Sequence, residues 1–280
     1  MLPLLYEDTV RRALLEDLGR AGDLTTDAIV PESRQASAVV IARSGGRIAG
    51  LEVAVRAFSL LDPQVQAEAL IGDGQDAADG DQLAVIRGSA RALLSAERTA
   101  LNFLGRLSGI ATATRGVVAA VSSYNTRVVC TRKTTPGLRA LEKYAVRAGG
   151  GANHRFGLDD AVLIKDNHRL LAGGIAEAVR RVRAHAGHMV KIEVEVDTLE
   201  ELQEALDLRV DALLLDNMSL DSLAQGVRLA AGRALTEASG GITPANAAAV
   251  ASTGVDLLSM GWLTHSAPCL DVSLDLAFPV

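Results

Sequence analysis

Seven residues, 131–137 (Thr-Arg-Lys-Thr-Thr-Pro-Gly), combine two cations with three hydroxyl groups and a Pro-Gly turn. The guanidinium of Arg132 can bind a carboxylate through two parallel hydrogen bonds, whereas the ammonium of Lys133 is a point charge suited to phosphate. A solvated surface turn could have the same composition. The segment therefore predicts an anion site only in combination with further charged residues.

A second segment, 149–155, places His154 and Arg155 after three consecutive glycines and an Ala-Asn pair. Glycine allows the backbone to approach a ligand closely, although surface loops are also rich in glycine. Lys165 follows four apolar residues, so its ammonium must either reach solvent along its own side chain or meet an anion. Because the net charge of the chain is −6, an anion site made of these residues would be a local basic cluster on an acidic protein.

Carboxylates also occur in strand-like surroundings. Glu193 and Glu195 alternate with valine and therefore share one face of a predicted strand, where buried carboxylates are costly unless they meet cations or a metal ion. Asp216 ends an apolar run. Two carboxylates beside a pyrophosphate are a common way to hold Mg²⁺. An ion pair with Lys165 or Arg132 is the alternative explanation for either acid.

A Ser-Gly-Gly turn, whose first two residues are Ser239 and Gly240, follows the apolar run 234–238. Such a turn exposes backbone N–H groups that can hold a phosphate, and Pro244 is predicted at the first position of the helix that follows. Gly261 and His265 come after the last apolar run. We expect the Gly261 amide and the His265 side chain to add to the same phosphate site.

Short apolar runs that alternate with helix-like segments predict the elements that must position these residues. Strands connected in this way pair in parallel through right-handed crossovers. Polar residues cluster where the runs end, which is the edge of a parallel sheet that carries the active site. We therefore predict an α/β fold with an incomplete α/β barrel, and a doubly wound open sheet is the alternative. The predicted strands are 127–130, 161–165, 190–196, 212–216, 234–238 and 257–260.

The first third of the chain has a different pattern. A helical stretch at 51–61 is surrounded by strand-like runs at 37–43, 65–71 and 82–87. Strands grouped around one helix predict an α+β layer with a largely antiparallel sheet. The helical pattern from 89 to 122 is predicted to be divided into two helices by Gly109.

Composition and missing motifs exclude several function classes. Aromatic residues make up 3% of a chain of net charge −6, which argues against binding to nucleic acid or to an anionic membrane. Cys130 and Cys269 form no zinc or disulfide pattern, and no apolar run reaches the roughly 18 residues of a membrane span. We therefore expect a cytoplasmic protein. The absence of GxGxxG, GxxxxGK[ST] and GxSxG motifs leaves dinucleotide-binding, P-loop and serine-hydrolase interpretations without support.

Taken together, these motifs resemble the quinolinate phosphoribosyltransferase family, also called nicotinate-nucleotide pyrophosphorylase (carboxylating). The resemblance extends from about residue 17 to residue 276 and rests on 131–137, 141–146, 149–155, 165–168, 237–242 and 263–266. It implies an N-terminal α/β sandwich domain over 1–110, joined by the tail 268–280. It also implies a phosphoribosyltransferase domain over 111–267, built as an incomplete α/β barrel of six or seven strands.

The resemblance also implies an activity. Phosphoribosyl pyrophosphate (PRPP) and quinolinate would react, with Mg²⁺, to nicotinate mononucleotide, pyrophosphate and CO₂, a step of de novo NAD biosynthesis. The enzyme would be a homodimer or hexamer. By position, the resemblance assigns quinolinate binding to Arg98 from a neighbouring copy, Arg132, His154, Arg155 and Lys165. It assigns PRPP binding to Lys133, Asp166, Ser239, Gly240, Gly261 and His265. It assigns catalysis to Lys133, Glu195 and Asp216, the last two also holding Mg²⁺ partly through water and pyrophosphate.

Two other interpretations stay open at this point. A related phosphoribosyltransferase-like protein of a molybdate locus would have the same fold and a different acceptor, although Thr134, Thr135 and the Asn-His-Arg segment 153–155 favour quinolinate. A non-catalytic binder of nucleotides or pyridine acids has no need to hold Mg²⁺ and pyrophosphate. Glu195 and Asp216 therefore favour an enzyme over such a binder.

Overall fold

The computed structural model describes residues 1–277 and divides into two compact units. Unit 1 consists of Met1–Arg115, Thr134–Gly150 and the segment from Leu263 onward, and unit 2 consists of Gly116–Lys133 and Gly151–Trp262. The domain boundaries predicted from the sequence, 1–110 with 268–280 and 111–267, stay a prediction. Residues 278–280 of that predicted tail lie outside the described residues.

Unit 1 is built on a four-stranded antiparallel sheet. Its strands are β1 (Gln35–Ala42), β3 (Gln66–Ala69), β5 (Gln82–Ser89) and β12 (Val272–Ala277), in the order β12-β1-β5-β3. A two-stranded sheet joins β2 (Gly46–Arg47) to β4 (Asp76–Ala77). Alternate side chains of β1, Ala38, Val40 and Ala42, are buried, as the two-residue period of a strand with one solvated face requires. The predicted antiparallel sheet is confirmed.

The helices that lie wholly in unit 1 include α1 (Glu7–Leu18), α2 (Leu24–Ile29), α3 (Leu51–Leu61) and α5 (Arg139–Ala148). Helices α4 (Ala90–Ala120) and α11 (Trp262–His265) have most of their residues in unit 1 and the others in unit 2. The apolar face of α3 buries Val53, Ala54, Ala57 and Phe58, which recur at the spacing of one helix face. The helix at 51–61 therefore forms where the apolar spacing predicts it.

Helix α4 runs without interruption, so the predicted break at Gly109 is wrong. A side chain at Gly109 would collide with the carbonyl oxygen of Pro268 and would lie 2.9 Å from the Cα of Cys269. The glycine is therefore required by the close approach of the 268–269 backbone to the helix and does not end the helix. Sequence patterns do not distinguish these two uses of glycine.

Unit 2 contains a six-stranded parallel sheet. Its strands are β6 (Arg127–Val129), β7 (Val162–Ile164), β8 (Ile192–Val196), β9 (Ala212–Asp216), β10 (Leu235–Ser239) and β11 (Leu257–Ser259). The order is β6-β11-β10-β9-β8-β7, so strands β7 to β11 are added in one direction and β6 pairs with the last of them. A doubly wound sheet would reverse its strand order in the middle. The fold is therefore the predicted incomplete barrel, open between β6 and β7.

Helices follow the strands of unit 2. They are α6 (Asp166–Ala172), α7 (Ile175–His185), α8 (Leu199–Asp207), α9 (Leu220–Ala230) and α10 (Ala247–Ala251). The helix predicted to begin at Pro244 begins instead at Ala247, because the side chain of Asn246 accepts from the Thr243 amide and donates to the Gly241 carbonyl. These hydrogen bonds stabilise a non-helical turn at the position where the first turn of the helix was predicted. Within residues 1–277, no helix has the length and apolar character needed to cross a bilayer.

Candidate active site

A cavity of about 740 Å³ lies in unit 2 at the carboxyl ends of the parallel strands. Strands β9 and β10 each contribute two residues that are two positions apart, Leu214 with Asp216 and Glu237 with Ser239. This spacing follows from the two-residue period of a strand, which turns one face of each of these two strands towards the cavity. The cavity brings together many of the predicted site residues: Arg132, Lys133, His154, Arg155, Lys165, Asp166, Glu195, Asp216, Ser239 and Gly240.

One wall of the cavity is cationic. Burial and the neighbouring charge of Arg132 lower the pKa of Arg155, which shows that the two guanidinium groups are close enough to repel each other. Arg155 donates to the carbonyl oxygen of Ala161 at 3.0 Å. The Nε of Arg132 is buried and has no hydrogen-bond partner among residues 1–277. An anion between these groups would relieve both their repulsion and the unmet donor.

Two carboxylates, those of Glu195 and Asp216, also line the cavity. Lys165 Nζ lies 3.0 Å from Glu195 Oε2, so the ion pair considered from the sequence for Glu195 is present. Burial and the charge of Glu195 raise the pKa of Asp216, and Asn217 Nδ2 donates to its Oδ2 at 2.7 Å. Two crowded carboxylates at one strand edge fit a hard divalent cation such as Mg²⁺, which takes carboxylate oxygens and keeps several waters.

The Ser-Gly-Gly turn after β10 has the left-handed backbone that a phosphate cradle uses. Gly240 and Gly241 have φ angles of +93° and +59°. A side chain at Gly240 would overlap the side chain of Asn217, whose Cγ would lie 2.6 Å from the added carbon. Only glycine fits at this position, because both the φ angle and the lack of space exclude a side chain. The two glycines therefore offer backbone amides, and no side chains, to a ligand in the cavity.

A buried trio of titratable residues adjoins the cavity, and two of its members, His154 and Glu237, line it. His154 Nε2 lies 2.9 Å from Glu193 Oε2 and 3.5 Å from Glu237 Oε2. Neither Glu193 nor Glu237 was predicted as a site residue. Glu237 precedes Ser239 by two positions on the same strand, so its place on the cavity face could have been deduced from the alternation. The three acceptor and donor atoms lie within 4.8 Å of one another, a spacing that a metal ion could also use.

Three predicted site residues lie elsewhere. Arg98 lines a cavity of about 320 Å³ formed by unit 1 residues, together with Glu16 and Asp17. His265 also belongs to unit 1, and its Nδ1 lies 2.5 Å from the hydroxyl of Ser266. Gly261 follows β11 and is not one of the residues that line the 740 Å³ cavity. The roles predicted for these three residues stay predictions.

Comparisons with known proteins agree with this architecture. The chain matches the family models of the quinolinate phosphoribosyl transferase N-terminal domain over residues 23–108 and C-terminal domain over residues 110–275. It is 48% identical over 262 residues to a probable nicotinate-nucleotide pyrophosphorylase [carboxylating] of Bacillus subtilis, covering 94% of this chain and 90% of the relative. It is 44% identical to the nicotinate-nucleotide pyrophosphorylase [carboxylating] of Mycobacterium leprae, with 96% of each chain covered. The crystal structure of NadC from Streptococcus pyogenes has a TM-score of 0.96 at 42% identity and covers 100% of this chain and 99% of its own.

Proposed function

The chain belongs to the quinolinate phosphoribosyltransferase family, and we propose that it transfers the phosphoribosyl group of PRPP to quinolinate and releases the 2-carboxylate as CO₂. The products are nicotinate mononucleotide and pyrophosphate, and the reaction is a step of de novo NAD biosynthesis. The observation that carries this proposal is the cavity of unit 2, which collects a cationic wall, two crowded carboxylates and a glycine turn at one strand edge. That combination suits a dicarboxylate acceptor beside a polyphosphate donor.

Quinolinate, a pyridine with two adjacent carboxylates, fits the cationic wall. Arg132 and Arg155 are close enough to lower the pKa of Arg155, and a dianion would compensate both charges. Lys165 is half-exposed and its ammonium already faces Glu195, so it can meet a carboxylate while remaining paired. These contacts orient the ring, and orientation is the main requirement when the ring nitrogen must meet the anomeric carbon in line with the leaving group.

PRPP takes the other side of the cavity in this proposal. Lys133 and Asp166 bind its pyrophosphate and ribose, and the Ser239–Gly240 turn receives the 5′-phosphate on backbone amides. Gly261 and His265 are assigned to the same phosphate by resemblance to the family. Glu195 and Asp216 would hold Mg²⁺. When bound, Mg²⁺ would neutralise part of the charge on the departing pyrophosphate.

The protein's own groups then act mainly by electrostatics. As pyrophosphate leaves, the anomeric carbon becomes cationic, and the ammonium of Lys133 stabilises the negative charge that develops on the leaving oxygen. The negative charges of Glu195 and Asp216 favour the cationic ribose. The ring nitrogen needs no base, because its lone pair carries no proton. The transfer step therefore uses alignment and charge, without a nucleophilic side chain.

Assembly belongs to the proposal as well. By resemblance to the family, we assign Arg98 to the quinolinate site of a neighbouring copy in a homodimer or hexamer. Arg98 is exposed and lines a cavity with Glu16 and Asp17. Mixing an inactive Arg98 variant with a variant that is inactive in the cavity of unit 2 tests this assignment.

The activity itself is tested with the purified chain, quinolinate, PRPP and Mg²⁺. We expect nicotinate mononucleotide and pyrophosphate in equal amounts, and loss of both when a chelator removes Mg²⁺. Nicotinate in place of quinolinate is the matched control, because it has the same ring nitrogen and lacks the 2-carboxylate. Folded protein that forms no nucleotide from quinolinate above the enzyme-free background would disprove the proposed function. Equal rates with nicotinate would disprove the proposed acceptor.

A further inference from the structure

The buried acids Glu193 and Glu237 have no task in the proposed transfer step, and both lie beside His154, to which the resemblance assigns quinolinate binding. Glu193 lies on β8 and Glu237 on β10, and both carboxylates are directed at the imidazole of His154. Glu237 is 1% exposed and Glu193 is 8% exposed, so neither group is a solvated surface acid. Burying two acids beside one imidazole is costly unless at least one of the acids carries a proton or the trio binds a cation.

The hydrogen bonds of His154 decide between a proton and a metal ion. Its Nδ1 accepts from the backbone amide of Arg155 at 2.8 Å, so Nδ1 carries no proton. A neutral imidazole then has its proton on Nε2, which donates to Glu193 Oε2 at 2.9 Å. A metal ion on Nε2 would need the opposite tautomer, with the proton on Nδ1. The hydrogen bonds of His154 therefore favour a proton over a metal ion in the trio.

Glu237 is the acid of the trio that holds a proton. Its Oε2 is buried and has no hydrogen-bond partner among residues 1–277, and His154 Nε2, which lies 3.5 Å away, already donates to Glu193. Burial and the charge of Glu193 raise the pKa of Glu237 to about 7, whereas His154 and the hydroxyl of Ser259 act in the opposite direction. A neutral Glu237 also removes the repulsion between the two acids.

The decarboxylation step of the proposed reaction requires one proton. After the transfer, the ring nitrogen bears the ribose and a positive charge. When the bond between ring carbon 2 and its carboxylate breaks, CO₂ leaves and the bonding electron pair stays on carbon 2. That carbanion must receive a proton before nicotinate mononucleotide is complete. Guanidinium and ammonium groups are poor proton donors at neutral pH, and Glu195 and Asp216 are assigned to the metal and the pyrophosphate.

We infer that Glu237 is the catalytic acid that donates this proton to ring carbon 2 as CO₂ departs. Glu237 lines the same cavity as His154 and Arg155. The O–H bond of its carboxyl group breaks, the new C–H bond forms on the ring, and a carboxylate remains on Glu237. Solvent returns the proton after the product leaves. His154 and Glu193 act as positioning residues, because their hydrogen bond keeps the imidazole from taking the proton of Glu237.

This inference rests on the proposed function, and the test separates the two. The experiment is a single turnover of the full-length enzyme with PRPP, Mg²⁺ and quinolinate, in which pyrophosphate and CO₂ are measured in the same quenched samples. In Glu237→Gln we expect pyrophosphate release within about threefold of wild type. We expect CO₂ release to slow on the order of 100-fold, the size of a typical general-acid contribution, so that the N-ribosylated dicarboxylate accumulates. Glu237→Asp retains an acid and should recover part of the CO₂ rate.

A matched control removes an exposed carboxylate from the same unit. Glu200→Gln lies at the solvent side of α8 and should release both products like wild type. Equal rates of CO₂ and pyrophosphate in Glu237→Gln would overturn the assignment, and so would a parallel loss of both products, which would indicate a binding or structural role. Absence of pyrophosphate in wild type would instead disprove the proposed function.

Discussion

Removing the buried ion pair between Arg106 and Glu142 in unit 1 should destabilise the protein strongly. The Glu142 side chain is 0% exposed and accepts from Arg106 Nη2 at 2.8 Å, from Arg106 Nε at 3.2 Å and from Thr135 through both its amide and its hydroxyl. Arg106 also donates to the carbonyl oxygens of Thr264 and Ala267. One carboxylate and one guanidinium therefore hold the loop at Thr135 and the segment that contains His265.

The magnitude follows from what each substitution leaves behind. Among residues 1–277, Arg106→Ala leaves Thr135 as the remaining donor to a buried carboxylate. Breaking a buried pair in this way lowers the free energy of unfolding by about 3–5 kcal/mol. Glu142→Gln keeps the shape of the side chain and removes its charge. We expect the free energy of unfolding to fall by about 2–3 kcal/mol, because the guanidinium of Arg106 loses its charged partner. In the double variant neither charge is left unpaired, so we expect the two costs to be less than additive by about 2 kcal/mol.

The assay is urea unfolding followed by two probes. Far-ultraviolet circular dichroism reports on all secondary structure, and the fluorescence of the single tryptophan, Trp262, reports on its own surroundings. Coincident transitions are required before a free energy is extracted. Arg87→Ala is the matched control, because it removes an exposed pair with Glu68 (52% and 60% exposed side chains) and should cost less than about 1 kcal/mol. A cost of Arg106→Ala as small as that of the control would refute the reasoning.

Four further predictions concern the site. Arg132→Ala should raise the quinolinate KM by about 30-fold or more, and steady-state kinetics with an unchanged KM would show that Arg132 does not face the acceptor. Gly240→Ala, with φ at +93°, should raise the PRPP KM and spare that of quinolinate, and an unchanged PRPP KM would remove the turn from the phosphate site. Folding raises the pKa of Glu237 from 4.5 to about 7. The stability that the protonated Glu237 contributes to the folded protein is therefore complete below pH 4.5 and is lost as the pH rises through about 7. Relative to Glu237→Gln, wild type should therefore lose about 3 kcal/mol in urea unfolding between about pH 4.5 and about pH 8, and parallel pH curves would contradict this. Mixing inactive Arg98→Ala with inactive Lys133→Ala should restore activity if Arg98 acts across the interface, and no recovery in mixed assemblies would assign it to its own chain.

Much of the site could be predicted from the sequence because a parallel sheet gathers the ends of its strands at one edge. Arg132, Lys165 and Asp216 each follow a short apolar run, and all three line the cavity. The alternation of Glu193 and Glu195 predicted a shared strand face, and both acids are buried on β8. Local periodicity was sufficient for these residues, because each position depends on its own strand.

The buried trio beside the cavity could not be predicted in the same way. His154, Glu193 and Glu237 come from three separate segments, and only the strand order β10-β9-β8 brings the two acids to one imidazole. Strand order is a long-range property that composition and spacing do not specify. The prediction of a helix break at Gly109 was wrong for a related reason. The role of this glycine depends on the backbone of Pro268, which is distant in sequence.

The central claim is that one cavity binds quinolinate and PRPP and couples ribosylation of the ring nitrogen to loss of the adjacent carboxylate. The most direct measurement uses two quinolinate samples, one labelled with a carbon isotope in the 2-carboxylate and the other in the 3-carboxylate. We predict that the label of the 2-carboxylate appears as CO₂ in amounts equal to pyrophosphate, and only when PRPP and Mg²⁺ are present. The label of the 3-carboxylate should remain in the nucleotide. Labelled CO₂ formed without PRPP, or a 2-carboxylate label retained in the final product, would contradict the account.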